Sequence, residues 1–201
     1  MPWWNPFKRL PEQPEGGSAA PRASKAGDFD QRLLKDRIIL LGTPINDDVA
    51  TRVVAQLLFL ESESPTQGVH LYLNSPGGSV TAAFAICDTM EFVKPDVSTL
   101  CVGQCSGMAA LLFALGKAGR RFALPNSYFQ LMPFSGGEHP EARAAIARLR
   151  QDFARRMAGA TGQTEDQVLA DCEANLHLSA TDAIRYGLVD EIVERSQLRP
   201  T

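Results

Sequence analysis

In this 201-residue chain the residues best placed to do chemistry are glycines. Gly77-Gly78 closes an alternating apolar run and just precedes a helical one, and Gly103–Met108 repeats the arrangement one unit later. Side-chain-free backbone between a strand end and a helix leaves amides without internal partners, and such amides can hold a developing anion. Two clusters of this kind on neighbouring strand ends could form an oxyanion hole, with Gly78 and the amide of Met108 as donors. Glycine turns also serve plain packing, so the pattern alone leaves both readings open. Cys105 and Ser106 lie in the second passage, where a nucleophile would be wanted. A base is harder to supply, because the only histidines are His70, His139 and His177.

The elements that must position these residues follow from periodicity. Arg37–Gly42 is a short apolar run ending in glycine, read as a buried strand. Asn46 offers an N-cap, Asp47 and Asp48 suit the positive end of a helix dipole, and Val49, Val53, Leu57 and Leu60 follow at helical spacing. Val69–Leu73 reads as a strand, Ser79–Phe92 as a helix, Val97–Val102 as a strand, and Met108–Leu115 as an apolar helix. Arg121–Leu124 and Ser127–Met132 read as strands, and Ala142–Met157 as a long helix with Ile146, Leu149, Phe153 and Met157 as its buried stripe. Its other side carries Arg143, Arg148, Arg150, Arg155 and Arg156, suited to solvent or to a subunit contact. Helices over Gln163–Ala174 and Ser179–Tyr186, the latter with Ser179 and Asp182 as a capping box, precede a last strand at Leu188–Val193. Strands alternating with helices predict an α/β domain with right-handed crossovers.

Composition bounds the partners. The net charge of −3 gives no electrostatic reason to expect nucleic acid or an anionic membrane, and no apolar run approaches bilayer length. The four cysteines, Cys87, Cys101, Cys105 and Cys172, form no metal-ligand spacing and read as buried free thiols of a reducing, cytoplasmic setting. No metal or cofactor is expected. Residues 1–27 are rich in Pro, Gly, Ser and Ala and are expected to be a disordered extension, with a domain over 28–196. The extension lacks a secretory h-region, and its Trp3, Trp4 and Phe7 are unusual for a free tail.

Six segments carry a specific resemblance: RLLKDRIILLGTPI (Arg32–Ile45), AQLLFLESE (Ala55–Glu63), LYLNSPGGSVTA (Leu71–Ala82), DTMEFVKPDVST (Asp88–Thr99), KAGRRFALPNS (Lys117–Ser127) and SATDAIRYGLVD (Ser179–Asp190). The chain resembles ClpP, the proteolytic subunit of the ATP-dependent Clp protease, over about 28–194. The resemblance implies an α/β fold of the ClpP/crotonase type, a spiral of ββα units with a projecting handle helix at about 133–160. It also implies peptide hydrolysis by a Ser-His-Asp triad, in which His takes the Ser proton and Asp fixes the His tautomer.

This sequence departs from the family pattern at all three triad positions. The nucleophile motif Gly-Gln-Ala-Ala-Ser-Met-Gly matches Gly103–Ala109, which puts Gly107 at the nucleophile. The stretch before Gly136-Gly137 puts Met132 at the base, and Glu173-Ala174-Asn175 puts Asn175 at the acid. Glycine has no nucleophilic atom, a thioether is no base near neutral pH, and Asn finds no imidazole to orient. The expectation is a non-catalytic, ClpR-like paralogue in a homo- or hetero-oligomeric ring, one that includes active ClpP subunits. The alternatives are a free-standing protein that binds a peptide or an inhibitor, and a peptidase using Ser106 or Cys105.

Further departures concern assembly. Glu138-His139-Pro140 follow the glycine pair directly, so the segment that joins two rings is shortened, and Ala174 stands at the ring-sensor Arg position. The family's apolar groove for a Clp unfoldase of the ClpX, ClpA or ClpC type maps to Leu58, His70, Tyr72, Phe92 and Leu100. His70 replaces a residue that is usually aromatic.

Overall fold

A computed structural model describes residues 25–134 and 140–194. The extension up to residue 24, with Trp3, Trp4 and Phe7, and the segment 135–139, with Gly136, Gly137 and His139, lie outside the described residues. So does most of the shortened ring-joining stretch.

The described chain runs α1 (Lys25–Lys35), β1 (Ile38–Leu41), α2 (Asp47–Glu63), β2 (Val69–Ser75), α3 (Val80–Phe92), β3 (Val97–Ser106) and α4 (Met108–Ala114). It continues with β4 (Arg121–Ala123), β5 (Tyr128–Gln130), α5 (Pro140–Thr161), α6 (Glu165–Glu173), β6 (His177–Ser179), α7 (Ala180–Tyr186) and β7 (Glu191–Ile192). The strands form one sheet in the order β1-β2-β3-β4-β7, all parallel. β3 serves two neighbours in turn. Thr99–Cys101 pair with β4, whereas Gln104–Ser106 pair with β5, which then pairs antiparallel with β6.

Local chemistry explains the boundaries. The Asn46 side chain accepts from the Val49 amide at 2.9 Å and starts α2. At the other end of α2, Arg37 donates to the carbonyls of Leu60 and Ser64 and also to Gln67 and Gly68. A cation there satisfies orphan carbonyls and complements the helix dipole. α4 is buried along its whole length, as an all-apolar helix must be. Its Phe113 stacks obliquely on Phe129 of β5, with ring centroids 4.8 Å apart.

Three expectations change. β3 does not stop at Val102 but runs through the polar Gly103-Gln104, because pairing with β5 satisfies that backbone. β6 and α1 have no counterpart in the sequence reading. The α5 stripe is buried only in its C-terminal half: Phe153 and Met157 are in the core, while Ile146 and Leu149 remain half-exposed. No helix among the described residues is long and apolar enough to cross a membrane.

Candidate functional site

β2 and β3 lie side by side and deliver both glycine passages to the same end of the sheet. After β2, the chain turns through Pro76-Gly77-Gly78 into α3, whose first turn is capped by Ser79. Gly77 and Gly78 have φ of 91° and 147°, a region that glycine enters freely and other residues do not. Space is short as well. A Cβ on Gly77 would lie 2.6 Å from the Ser106 carbonyl oxygen and 3.3 Å from the Met108 amide nitrogen. A Cβ on Gly78 would overlap the backbone of Ile45, which brackets the turn by donating to the Gly77 carbonyl and accepting from the Ser79 amide. The two passages are therefore in close backbone contact because residue 77 is glycine.

After β3, the chain turns sharply at Gly107, with φ 53° and ψ −120°, and enters α4 at Met108. The Gly107 amide donates to the Gln130 carbonyl at 2.8 Å, which fastens the turn to β5. A strained strand-to-helix turn of this kind is the device by which hydrolases expose a nucleophilic side chain. Here the residue on it has none. A Cβ on Gly107 would point at Met132, with Sδ 3.6 Å away.

Between these turns lies a cleft of about 590 Å3 lined by Gly77, Gly78, Gly107, Met108 and Met132, with Pro44, Val80, Phe134 and Phe153 among its apolar walls. Among the described residues its lining holds no titratable side chain. Phe134 meets Phe153 edge to face at 5.2 Å, which carries the cleft wall onto α5. Such an arrangement can seat a neutral, apolar chain against backbone amides, and among the described residues no lining side chain can move a proton at neutral pH.

The structure thus brings Gly78, Gly107, Met108 and Met132 together. Asn175 is elsewhere: it follows α6 with a left-handed φ of 52°, and its Oδ1 accepts from Gln130 Nε2 at 2.9 Å. It does not line the cleft. Ser106 and Cys105 are buried and line no part of the cleft either. Among the described residues the Ser106 hydroxyl has no hydrogen-bond partner, and burial pushes the Cys105 thiol well above its usual range. His177 is on β6, and its ring is exposed.

The positions matched to an unfoldase groove fall on two surfaces. Leu58 lies in a shallow groove between α2 and α3, and Phe92, at the end of α3, is 76% exposed. Tyr72 and Leu100 are register partners on the sheet face opposite the core-facing Leu71 and Leu73, and His70 shares that face. The His70 Nδ1 meets Ser98 Oγ at 2.6 Å, and burial, then Arg120 and Arg37, lower its pKa. Within one chain the five positions make no single groove. Among the described residues no cluster of His, Cys, Asp and Glu could hold a metal ion.

The sequence did not single out Pro44, Val80 and Phe134 as cleft residues, and it assigned Phe153 only to a core stripe. Two of them come from the chain beside Ile45 and from the approach to α5, so only the folded arrangement of distant segments reveals them.

A mostly parallel sheet alternating with helices defines an α/β fold. The Clp protease family model matches residues 21–196. The chain belongs to the Clp protease family, and its fold is that of ClpP.

Proposed function

We propose that the chain is a non-hydrolysing, ClpR-like subunit that joins a ring with active ClpP subunits in the cytoplasm and shapes or regulates the degradation chamber. One observation carries the reading: Gly107, matched by resemblance to the nucleophile, sits on the sharp turn into α4, and a Cβ there would meet Met132, matched by resemblance to the base. Without nucleophile and base, surviving oxyanion amides bind a carbonyl but hydrolyse very little. The separation of the unfoldase-groove positions onto two surfaces of one chain supports an interface completed by an adjacent subunit.

A second reading, a free-standing binding protein, draws support from the open cleft with its uncharged lining. Native mass spectrometry of the chain, alone and mixed with an active ClpP from the same source, separates the two. Mixed rings, with no turnover of a fluorogenic peptide by this chain alone, are expected. A stable self-assembly that ignores ClpP would favour the binding protein, and peptide turnover abolished by Ser106→Ala would overturn both.

A further inference from the structure

A groove of about 560 Å3 between α1 and α2 is remote from the cleft in the fold. Leu34, Phe59 and Leu60 line it, with Lys35 and Glu63 beside them. Phe59 is 49% exposed, although its neighbours Leu57 and Leu60 are in the core. Arg37 also borders the groove, but its guanidinium is committed to the Leu60, Ser64, Gln67 and Gly68 carbonyls.

We propose that this groove is the docking site of the chain's own N-terminal aromatic segment, Trp3-Trp4-Asn5-Pro6-Phe7. The segment precedes the described residues. The argument from reach is direct. The chain enters α1 at Lys25, and the groove begins on α1 itself, at Gln31, roughly 9 Å further along the helix. Seventeen residues lie between Phe7 and Lys25, and random-coil dimensions for that number give about 23 Å on average. Such a tether holds the segment near the groove at an effective concentration in the millimolar range.

Chemistry points the same way. The segment concentrates both tryptophans of the chain and a phenylalanine within five residues, and each such ring offers on the order of 150–250 Å2 to bury. The groove presents an exposed aromatic ring and two leucines. Lys8 and Arg9 follow the aromatics and complement Glu63, while Glu12 complements Lys35. The proposal does not depend on the reading of the cleft or on ring membership.

The test uses the full chain. Because both tryptophans lie in the segment, fluorescence excited selectively at tryptophan reports on it alone. The full chain is expected to show blue-shifted emission and several-fold weaker acrylamide quenching than a free peptide of residues 1–12, independent of protein concentration. Phe59→Glu is expected to return both readouts to peptide values. Glu63→Lys, at an exposed position, is expected to move them part of the way and remove their dependence on salt, with circular dichroism confirming an intact fold. Peptide-like emission in the wild type would overturn the proposal. So would a shift indifferent to both substitutions, or one that fades on dilution and thereby identifies a second copy as the binding surface.

Discussion

At φ 53° and ψ −120°, Gly107 holds a backbone that strains any other L-residue, yet a Cβ there would meet nothing closer than the Met132 Sδ at 3.6 Å. The penalty for a side chain is therefore conformational rather than steric. Gly107→Ala is expected to lower stability by about 1–3 kcal/mol in urea unfolding, the usual strain of such a conformation. Gly78→Ala should cost more, at least about 3 kcal/mol, because backbone overlap with Ile45 adds to the same strain. If the two cost the same, the bracket around Gly78 is softer than its geometry indicates. Chemistry at this scale is equally testable. Gly107→Ser alone leaves the hydroxyl facing a thioether, so a fluorogenic peptide should be turned over no faster than by the wild type. Adding Met132→His and Asn175→Asp supplies a base, and general-base catalysis contributes about 10²- to 10⁴-fold. The triple variant should exceed Gly107→Ser by at least roughly a hundredfold. Equal rates would mean that the cleft does not offer catalytic geometry even when a triad is supplied.

Between elements, Arg121 makes the most consequential link. It donates to both carboxylate oxygens of Asp190, at 3.0 and 2.6 Å, and to the Ala160 carbonyl, so it ties β4 to the approach to β7 and to the end of α5. Burial pushes the Asp190 carboxyl up, but the hydrogen bonds and charge of Arg121 outweigh it and hold the group below its usual 3.8. A depressed carboxylate contributes stability that is fully present above the unfolded pKa and disappears as pH falls through the folded one. Asp190→Asn should therefore be less stable than the wild type at pH 7. The difference should shrink as pH drops below about 4, as read from urea midpoints across that range. A difference that stays constant with pH would mean that packing, not charge, sets the effect. At this scale the sequence was also most legible. Asn46, Ser179 and the apolar period placed α2 and α7, whose caps depend on residues within a few positions. The end of β3 and β6 were not legible, because their backbone is satisfied by β5 from a distant part of the chain. Gly107 and Met132, which the resemblance matches to triad positions, were placed by motif and meet in space. Asn175 was placed by motif too, but its side chain turns to Gln130, a partner no spacing rule names. The Arg-rich side of α5 was left between solvent and a subunit contact. Arg150, Arg155 and Arg156 pair with Glu173, Asp152 and Asp88 of this chain.

For the whole molecule, the distribution of apolar surface is the feature that a monomer does not explain. Leu40, Leu58 and Phe92 are all large and more than two-fifths exposed, and they lie on β1, on α2 and at the end of α3. Single exposed apolar residues are ordinary, but a concentration of them on adjoining elements marks an interaction surface. Phe92 is the sharpest probe, because at 76% exposure it contributes little to the fold. Phe92→Glu is accordingly expected to change stability by no more than about 0.5 kcal/mol, as surface substitutions do. Placed in a subunit contact, the same carboxylate would be desolvated without a partner, at a cost of several kcal/mol. Native mass spectrometry of the variant mixed with active ClpP should then show mixed rings lost or strongly reduced, while the isolated chain melts as before. Mixed rings that form undiminished would remove Phe92 from any subunit contact and confine the unfoldase-groove reading to the sheet face of Tyr72 and Leu100. Loss of folding itself would instead show that Phe92 packs within its own chain. The two readouts, assembly and melting, thus separate a surface built for another subunit from one that merely tolerates water.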